Sequence, residues 1–549
     1  MKRDVRLRFA RRRPAALKTA FYLFVVSAAL LPAVARADLS DALRREIDKT
    51  VHAAKTLRQA ALAEGLRSFY TARGHAPVWA TERGLTERGR AVMRLLSFAA
   101  QEGLEPGDYA LAAEMRNAPA GGDPATARRE MAVAILIMKY AADVGDGRAY
   151  VRASKPDLFV FKEYVNFAEV LRGAAAARDI EAYFATLPPA APGYRALRNL
   201  LAIYRQTAAS GGWPRLAEGP ALKPGAAGAS LAVLRRFLVR AGDIVSAQAA
   251  PFTVSGIYGG DLVDAVRAFQ KPHGLAADGI VGARTRKALN VTVDRRIRQI
   301  VLNMERLRWT PDMLGDPHVE VNIAGFELTA VRGGKAVLRM PVIVGKAYRE
   351  SPVFSDRISY LVLNPDWTVP RVIATEDILP KIRQSSSYLS DNGFQVFAVN
   401  GTLVDPGTID WQRLGVNNFP YRLVQAPGPG NALGTIKFMF PNRFSVYLHD
   451  TPSRELFAKE VRTLSSGCIR VARPVELAEF VLNSDDWDAD AIRREIEAGK
   501  TRTVRIAAPV PIHLSYQTAW VDSDGAIQFR DDIYGRDAKL AAALFSDEK

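Results

Sequence analysis

The chain has 549 residues, of which 48% are hydrophobic and 24% are charged. This length and balance predict roughly two to four domains with apolar cores, and they exclude wholesale disorder, a collagen-like repeat or a multispan membrane protein. The single cysteine, Cys468, excludes an internal disulfide or a multi-cysteine metal centre. The six histidines contain no HExxH motif and no close pair, so we expect neither a metal nor another cofactor.

The N-terminus has the pattern of an export signal. Residues 1–18 are rich in Lys and Arg, residues 19–35 carry no charge, and Ala35-Arg36-Ala37 matches a cleavage site between small residues. We therefore predict a secretory signal peptide over 1–37, cleaved before Asp38. An uncleaved segment would instead anchor the protein in the inner membrane, and in both cases the remaining chain is exported. The predicted location is the periplasm of a Gram-negative-type cell, with membrane contact only through the signal segment.

The rest of the chain keeps a moderate positive charge. Residues 1–37 hold nine Lys or Arg and one acid, so about +9 of the formal +17 lies beyond them. Such a charge favours weak attraction to an anionic polymer or membrane surface, although a generally basic composition explains it equally well. We expect no nucleic-acid partner, because the chain is exported and lacks a motif of interleaved basic and aromatic residues.

Residues 38–215 are predicted to form a helical scaffold domain. They are rich in Ala, Leu, Arg and Glu at helical spacing, with a first helix opening at 41–47 and an apolar helix core at 131–138. No strand-like alternation appears in this part. Gly and Pro residues between 211 and 228 then predict a linker.

Residues 225–291 are predicted to form a second, small unit. In order they contain Ala265-Val266, Phe269-Gln270, Gly274-Leu275, Asp278-Gly279, Gly282, Thr285 and Leu289-Asn290. This spacing resembles the small three-helix peptidoglycan-binding module. The alternative is an ordinary helix pair in which Asp278-Gly279 is a simple turn.

From 300 to 545 the sequence predicts a mostly-β domain. Short alternating runs begin at 318, and Gly333-Gly334 is a hairpin signal. Residues 371–422 interrupt this pattern with a helical run and a stretch rich in Ser, Asn and Gly, so we predict an insertion that caps the domain. Alternation resumes at 435–447, and further predicted elements are a helix at 474–482 and a hairpin turned by residues 522–525.

Residues 445–471 are the best suited to chemistry. If 444–449 form a strand, Phe444, Val446 and Leu448 share the apolar face, while Ser445, Tyr447 and His449 share the other. The following sequence is Ser465-Ser466-Gly467-Cys468-Ile469-Arg470-Val471. In extended form it points Ile469 and Val471 inward, and Cys468 and Arg470 toward a common side.

These residues predict a cysteine acyl-transfer site. A neighbouring imidazole or guanidinium can generate a thiolate from a thiol whose pKa is ordinarily about 8.5. Backbone N–H groups at Gly467 and Cys468 could hold a developing oxyanion. A lone cysteine is more often a small buried hydrophobe. An unpaired thiol is a liability in an exported protein, however, and this one is accompanied by His449 and Arg470.

His449 together with Ser465-x-Gly467-Cys468-x-Arg470 resembles the signature of YkuD-type L,D-transpeptidases. Many YkuD domains have His where this chain has Ser466, which leaves His449 as the only nearby base. Longer stretches resemble the large YcbB-like subgroup, and these are residues 303–306, 360–367, 377–380, 428–434, 447–452, 516–522 and 529–535.

The resemblance implies a peptidoglycan L,D-transpeptidase with Cys468 as nucleophile and His449 as its base. Members cleave the bond between the diamino acid and the D-alanine of a tetrapeptide stem, form a thioester and pass it to a side-chain amine, which gives a 3→3 cross-link. Arg470 would order the loop or bind a stem carboxylate. Asn431, Tyr447 and Ser465 are further candidates for substrate binding. Carbapenems typically acylate such cysteines, so we expect a carbapenem target.

Two other functions stay open on the sequence. Water could resolve the thioester, which would make the protein an L,D-carboxypeptidase or endopeptidase of wall stems. A non-catalytic wall-binding scaffold is the third reading, although it has no need of Cys468, His449 and Arg470 together. The predicted partners are peptidoglycan stem peptides and glycan. The predicted fold class is multidomain α+β, with a helical N-terminal domain, a small three-helix peptidoglycan-binding module and a mostly-β YkuD-like catalytic domain with a capping insertion.

Overall fold

The structure is a computed structural model of the chain. It describes residues 33–113, 115, 122–148, 164–242, 256–311 and 314–545. Most of the predicted export segment, residues 1–32, lies outside these ranges, so the signal peptide stays a prediction. Within the described ranges, no helix is both long and apolar enough to cross a membrane.

Helices dominate the N-terminal part, as the sequence predicts. The helix Asp123–Gly145 is its centre, because apolar residues along most of its length join the cluster made by the surrounding helices. A two-residue hairpin of Ala80–Thr81 (β1) and Gly84–Leu85 (β2) corrects the expectation that this part has no strands. The described helices are Ala33–Ala53, Leu57–Ala72, Glu87–Ser97, Asp123–Gly145, Phe167–Ala176, Ile180–Phe184 and Pro192–Ala209, with short 3-10 helices at Ala99–Glu102 and Pro106–Tyr109.

The described residues of the second unit form three α-helices, with bounds Ser230–Ala241, Asp261–Gln270 and Ala283–Leu289. Apolar side chains from all three meet in one cluster. The buried Gln270 amide donates to Asp278 Oδ1 at 2.9 Å and accepts from the Gly279 N–H at 2.9 Å. Polar residues of the sequence motif therefore hold its turn in place.

The helix Val293–Trp309 joins the units. It packs against Pro192–Ala209 and against apolar residues near the C-terminus. On this helix the buried Arg308 guanidinium pairs with Glu305 at 2.7 Å and donates to the Tyr194 hydroxyl at 2.9 Å. Removing one partner from such a buried pair is costly, so this network fixes the helical domain to the connecting helix.

A nine-stranded sheet forms the C-terminal unit. The strands are His318–Asn322 (β3), Glu327–Arg332 (β4), Lys335–Gly345 (β5), Phe354–Leu363 (β6), Ile436–Met439 (β11), Leu448–His449 (β12), Thr463–Ser465 (β13), Ile469–Val471 (β14) and Arg502–Ser515 (β15). Their order in the sheet is β13-β5-β14-β12-β11-β6-β15-β3-β4. The long β5 pairs with β4 along its first part and with β14 further on, so the sheet closes on itself.

Alternation along these strands places the core on one face of the sheet. Leu361, Phe438, Leu448 and Ile469 come from four adjacent strands and are fully buried in a single cluster. The helix Pro474–Leu482 lies where the sequence predicts it and adds its apolar side to this cluster. The remaining elements are the helices Ala489–Glu497 and Arg536–Leu544, and the predicted hairpin formed by Ala519–Val521 (β16) and Ile527–Phe529 (β17).

The predicted insertion is a subdomain with its own sheet and core. Its strands are Trp367–Thr368 (β7), Phe394–Ala398 (β8), Leu403–Val404 (β9) and Tyr421–Gln425 (β10), and they extend the unit to 367–425, beyond the predicted bounds of 371–422. The order of this sheet is β7-β10-β8-β9, and its apolar cluster is separate from that of the large sheet. The helices of the subdomain are Arg371–Ile373, Leu379–Gln384 and Tyr388–Asp391, with a π-helical turn at Ala374–Ile378.

Gly345, at the end of β5, lies where the structure has no space for a side chain. A Cβ at this position would lie 2.0 Å from the Arg349 carbonyl oxygen, a backbone atom that a side-chain rotation cannot move away. We expect Gly345→Ala to destabilise the domain by about 1–3 kcal/mol and lower the unfolding midpoint by several degrees. Gly193→Ala is the control, because a Cβ there meets nothing within 4 Å. Equal midpoints in differential scanning calorimetry for the two variants would contradict the expectation.

Candidate active site

Parallel pairing of β12 and β14 brings the predicted histidine and cysteine segments together. Leu448 pairs with Ile469 and His449 pairs with Arg470. Ile469 and Val471 are buried, as the sequence predicts. The predicted strand over 444–449 is wrong over its first four residues. Only Leu448–His449 is a strand, and Ser445 adopts a left-handed conformation with φ of 55°.

Ser465 and Gly467 shape the turn that precedes the thiol. The Ser465 hydroxyl is buried, accepts a hydrogen bond from the Gly467 N–H at 3.2 Å and donates one to the Cys468 carbonyl oxygen. Gly467 has a φ of 113°, a conformation that favours glycine. These contacts stabilise the turn, and a role for Ser465 in binding substrate stays a prediction. They also occupy the Gly467 N–H, which leaves the Cys468 N–H as the donor without an acceptor among the described residues.

The Cys468 thiol is half-buried and faces Tyr447. Its Sγ lies 4.0 Å from the Ser445 carbonyl oxygen, and the hydroxyl and backbone N–H of Tyr447 are the donors that act on the sulfur. Burial raises the pKa of the thiol above its ordinary value, while these two donors and the nearby cations of Lys437 and Arg470 lower it in part. The resting site therefore holds a neutral thiol, and Tyr447 contacts the nucleophile itself.

The His449 imidazole is buried and held by a backbone carbonyl. Its Nδ1 lies 2.6 Å from the Asp450 carbonyl oxygen. A carbonyl only accepts, so Nδ1 carries the proton and Nε2 keeps the lone pair that a base needs. Burial lowers the pKa of His449 to about 3, helped by the charges of Arg470 and Lys437. The imidazole is therefore neutral at physiological pH.

The Asp450 carboxylate binds Thr435 and Arg454 instead of the imidazole. It accepts from the Thr435 N–H at 3.0 Å and pairs with Arg454 at 2.8 Å. A Cβ at Gly434 would lie 2.5 Å from this carboxylate, so only glycine fits there without a shift. The histidine is thus oriented by the carbonyl of Asp450, a partner that its side-chain type could not reveal.

Asn431 is buried and bonds the backbone around it. It is 1% exposed, and its amide donates to the carbonyls of Pro365 at 3.1 Å and Ala426 at 2.9 Å. Its Oδ1 accepts from the Leu433 N–H at 2.8 Å. Asn431 therefore positions the loop that connects the capping subdomain to β11, and its role in binding substrate stays a prediction.

Lys437, which the sequence analysis did not select, belongs to the same face as the thiol. Direct pairing places Lys437 next to His449, and His449 next to Arg470, in one row across β11, β12 and β14. The Lys437 Nζ lies 4.1 Å from the centre of the Tyr447 ring. A single cation within the otherwise apolar run 436–440 was the signal that could have identified it.

Arg349 connects the capping subdomain to the catalytic turn. Its guanidinium donates to the Ser466 hydroxyl at 2.9 Å and pairs with Glu376 at 2.6 Å and with Asp377. Both acids lie in the π-helical turn Ala374–Ile378 of the capping subdomain. One arginine therefore couples the position of the capping subdomain to the residue two before the thiol.

Metal ligands do not accompany these residues. Across the described ranges, no cluster of three or more His, Cys, Asp or Glu side chains has the arrangement that holds a metal ion. The chemistry available to the site is that of a thiol, a neutral imidazole, a phenol and two cations.

The raised thiol pKa predicts how Cys468 reacts with a neutral alkylating reagent. The thiolate fraction is small at neutral pH, so the rate with iodoacetamide is expected to rise with pH and reach its midpoint above about 8.5, the ordinary thiol value. Mass spectrometry of samples quenched at fixed times between pH 6 and 10 measures the alkylation rate, with the urea-denatured chain as the control. A rate already at its plateau below pH 7 would instead reveal a thiolate–imidazolium pair.

Loss of the Arg349 contacts is expected to loosen the capping subdomain. In Arg349→Met the charge-assisted bonds to Glu376, Asp377 and Ser466 disappear. Amide hydrogen exchange over 371–384 should become roughly tenfold faster. Arg413→Met is the matched control, because Arg413 lies in the same subdomain, is 87% exposed and pairs only with the nearby Asp410. Equal exchange in the two variants would show that the contacts contribute nothing.

Three family models match separate parts of the chain. A scaffold domain matches residues 64–201, a "Putative peptidoglycan binding domain" matches 228–289, and an L,D-transpeptidase catalytic domain matches 316–511. The third match contains Cys468, His449, Lys437 and Arg349. The chain thus combines a catalytic domain of the YkuD type with a peptidoglycan-binding domain, and the α+β architecture predicted from the sequence is confirmed.

A curated relative and a solved structure are also similar. The chain is 36% identical over 259 residues to a Haemophilus influenzae protein named "Putative L,D-transpeptidase"; the alignment covers 47% of this chain and 51% of the relative. The chain thus spans about half the length of that relative. A crystal structure of an L,D-transpeptidase from Xylanimonas cellulosilytica is 16% identical, covering 54% of this chain and 98% of that one, with a TM-score of 0.18.

Proposed function

Because residues 316–511 are an L,D-transpeptidase catalytic domain, we propose that the protein is a peptidoglycan L,D-transpeptidase that forms 3→3 cross-links through a thioester on Cys468. The observation that carries the proposal is one face of the sheet, on which β12 and β14 place Tyr447 and His449 beside Cys468 and Arg470. A structural cysteine has no need of this set.

Acylation begins when Cys468 Sγ attacks the carbonyl carbon of the diamino acid and its proton passes to His449 Nε2. The Cys468 N–H, which has no acceptor among the described residues, is available to the tetrahedral oxyanion. Collapse breaks the bond to D-alanine, and the imidazolium returns the proton to the departing amine. The product is a thioester on Cys468 and free D-alanine.

Transfer reverses these roles. The side-chain amine of a second stem attacks the thioester carbonyl, and His449 Nε2 accepts a proton from this amine. Collapse releases the new amide, and the Cys468 sulfur recovers its proton from the imidazolium. A single base thus serves both half-reactions, because each returns the imidazole to its neutral form; the first leaves the thioester and the second regenerates the thiol.

The other domains agree with a substrate in the cell wall. A peptidoglycan-binding domain on the same chain would hold the enzyme on its polymer and raise the local concentration of stems. Domains that act on peptidoglycan work outside the cytoplasm, which fits the predicted export signal and a periplasmic location. Carbapenems, as acylating analogues of the stem, are expected to form an adduct with Cys468.

Intact-protein mass spectrometry with a disaccharide-tetrapeptide tests the proposal. The wild-type chain should gain the mass of the stem without D-alanine and then release a cross-linked dimer, because the thioester precedes transfer. Cys468→Ala should show neither the adduct nor turnover, with a loss of at least roughly 10⁴-fold. A carbapenem should block the same residue.

The products of the reaction separate the alternative functions. Ser390→Ala, in the capping subdomain, is the control variant, because it also replaces one small polar side chain with alanine. An adduct followed only by free tripeptide would identify a hydrolase of wall stems. Complete absence of an adduct in a folded wild-type chain would favour a wall-binding scaffold and overturn the proposed activity.

A further inference from the structure

Two cations beside the thiol have no acidic partner. Lys437 and Arg470 are both half-buried, and across the described ranges neither forms an ion pair or a side-chain hydrogen bond. The charge of an ionised Cys468 thiol acts most strongly on both cations, ahead of Asp366 on Lys437 and Glu455 on Arg470, and neither carboxylate forms an ion pair with them. By contrast, Arg349, which bonds Ser466, has two carboxylate partners.

The arrangement is unfavourable unless an anion completes it. The Nε of Arg470 is buried and has no hydrogen-bond partner. Desolvation of a cation without a partner is costly, and burial alone lowers the pKa of Lys437. Both cations flank His449 in the same row, so the imidazolium formed during acylation would lie between two like charges.

We propose that Lys437 and Arg470 form a subsite for a substrate carboxylate, and that Lys437 binds the carboxylate of the D-alanine that leaves. The inference rests on the proposed function for the identity of the ligand. In a tetrapeptide stem this carboxylate lies three bonds from the attacked carbonyl carbon. A carboxylate bound there is therefore close to the thiol and to both cations.

A bound carboxylate would also make His449 a better base. In the free protein, the imidazole is neutral and its two cationic neighbours oppose its protonation. One negative charge between them offsets that repulsion when the thiol proton moves to Nε2. Substrate then supplies the missing charge, so the base becomes effective when a stem with a free carboxylate is present.

Alkylation of Cys468 with two reagents tests the subsite without turnover. Iodoacetate carries a carboxylate and iodoacetamide is its neutral counterpart. Relative to a small free thiol, we expect the wild type to favour iodoacetate by roughly tenfold or more. Lys437→Met should lose most of this preference, and Lys437→Arg should keep it. Lys381→Met is the control, because Lys381 also lies over a tyrosine ring, that of Tyr388, but belongs to the helix Leu379–Gln384 of the capping subdomain.

A second measurement names the carboxylate. Stems that end in D-alanine and in D-alaninamide are compared as donors. Lys437→Met should raise KM for the acid roughly ten- to a hundredfold and leave the amide nearly unchanged. An equal loss for both stems would show that Lys437 acts on the thiolate or the oxyanion, and would overturn the subsite.

These outcomes separate the two proposals. Should neither stem react with the wild type, the proposed function fails, while the ratio of the two alkylation rates still reports the subsite. An identical ratio in the wild type and Lys437→Met, with turnover intact, overturns the subsite alone. Lys437→Gln replaces the methionine variant if circular dichroism shows that the latter is misfolded.

Discussion

The active site depends on a very short parallel pairing, that of β12 with β14. Two residue pairs, Leu448 with Ile469 and His449 with Arg470, set which side chains meet on the face of the groove. Because side chains alternate along a strand, a slip of one residue would turn His449 into the core. So short a ladder cannot hold its own register. Its position is fixed by β5, which pairs with β14, and by the buried Ser465 hydroxyl, which closes the turn between β13 and β14.

Electrostatics follow from that register. The row across the sheet puts His449 between Lys437 and Arg470, and burial removes the water that would screen their charges. The site therefore rests with a neutral thiol and a neutral imidazole, and it carries surplus positive charge. Such a state protects the thiol from oxidation, because the thiolate is the reactive form. It also makes reactivity depend on a ligand that brings negative charge.

The sequence predicted the parts of the site that local pattern determines. Inward packing of Ile469 and Val471 follows from alternation, and the glycine before Cys468 indicates a tight turn. Lys437 was missed because it reaches His449 only through pairing between distant strands. Asn431 and Ser465 were predicted to bind substrate, and that role stays a prediction. In the structure their side chains bond buried backbone groups, which is the common use of a buried amide or hydroxyl.

The segment before the catalytic turn also ties that turn to the peptidoglycan-binding module. Glu460 accepts from the Ala276 N–H of the module at 2.6 Å and pairs with Arg284. Two residues later, Arg462 donates to the Val342 carbonyl of β5 at 3.1 Å. Contact with the module, contact with β5 and the turn that carries the thiol therefore lie within ten residues of chain. These contacts of one short segment therefore link the position of the module to that of Cys468.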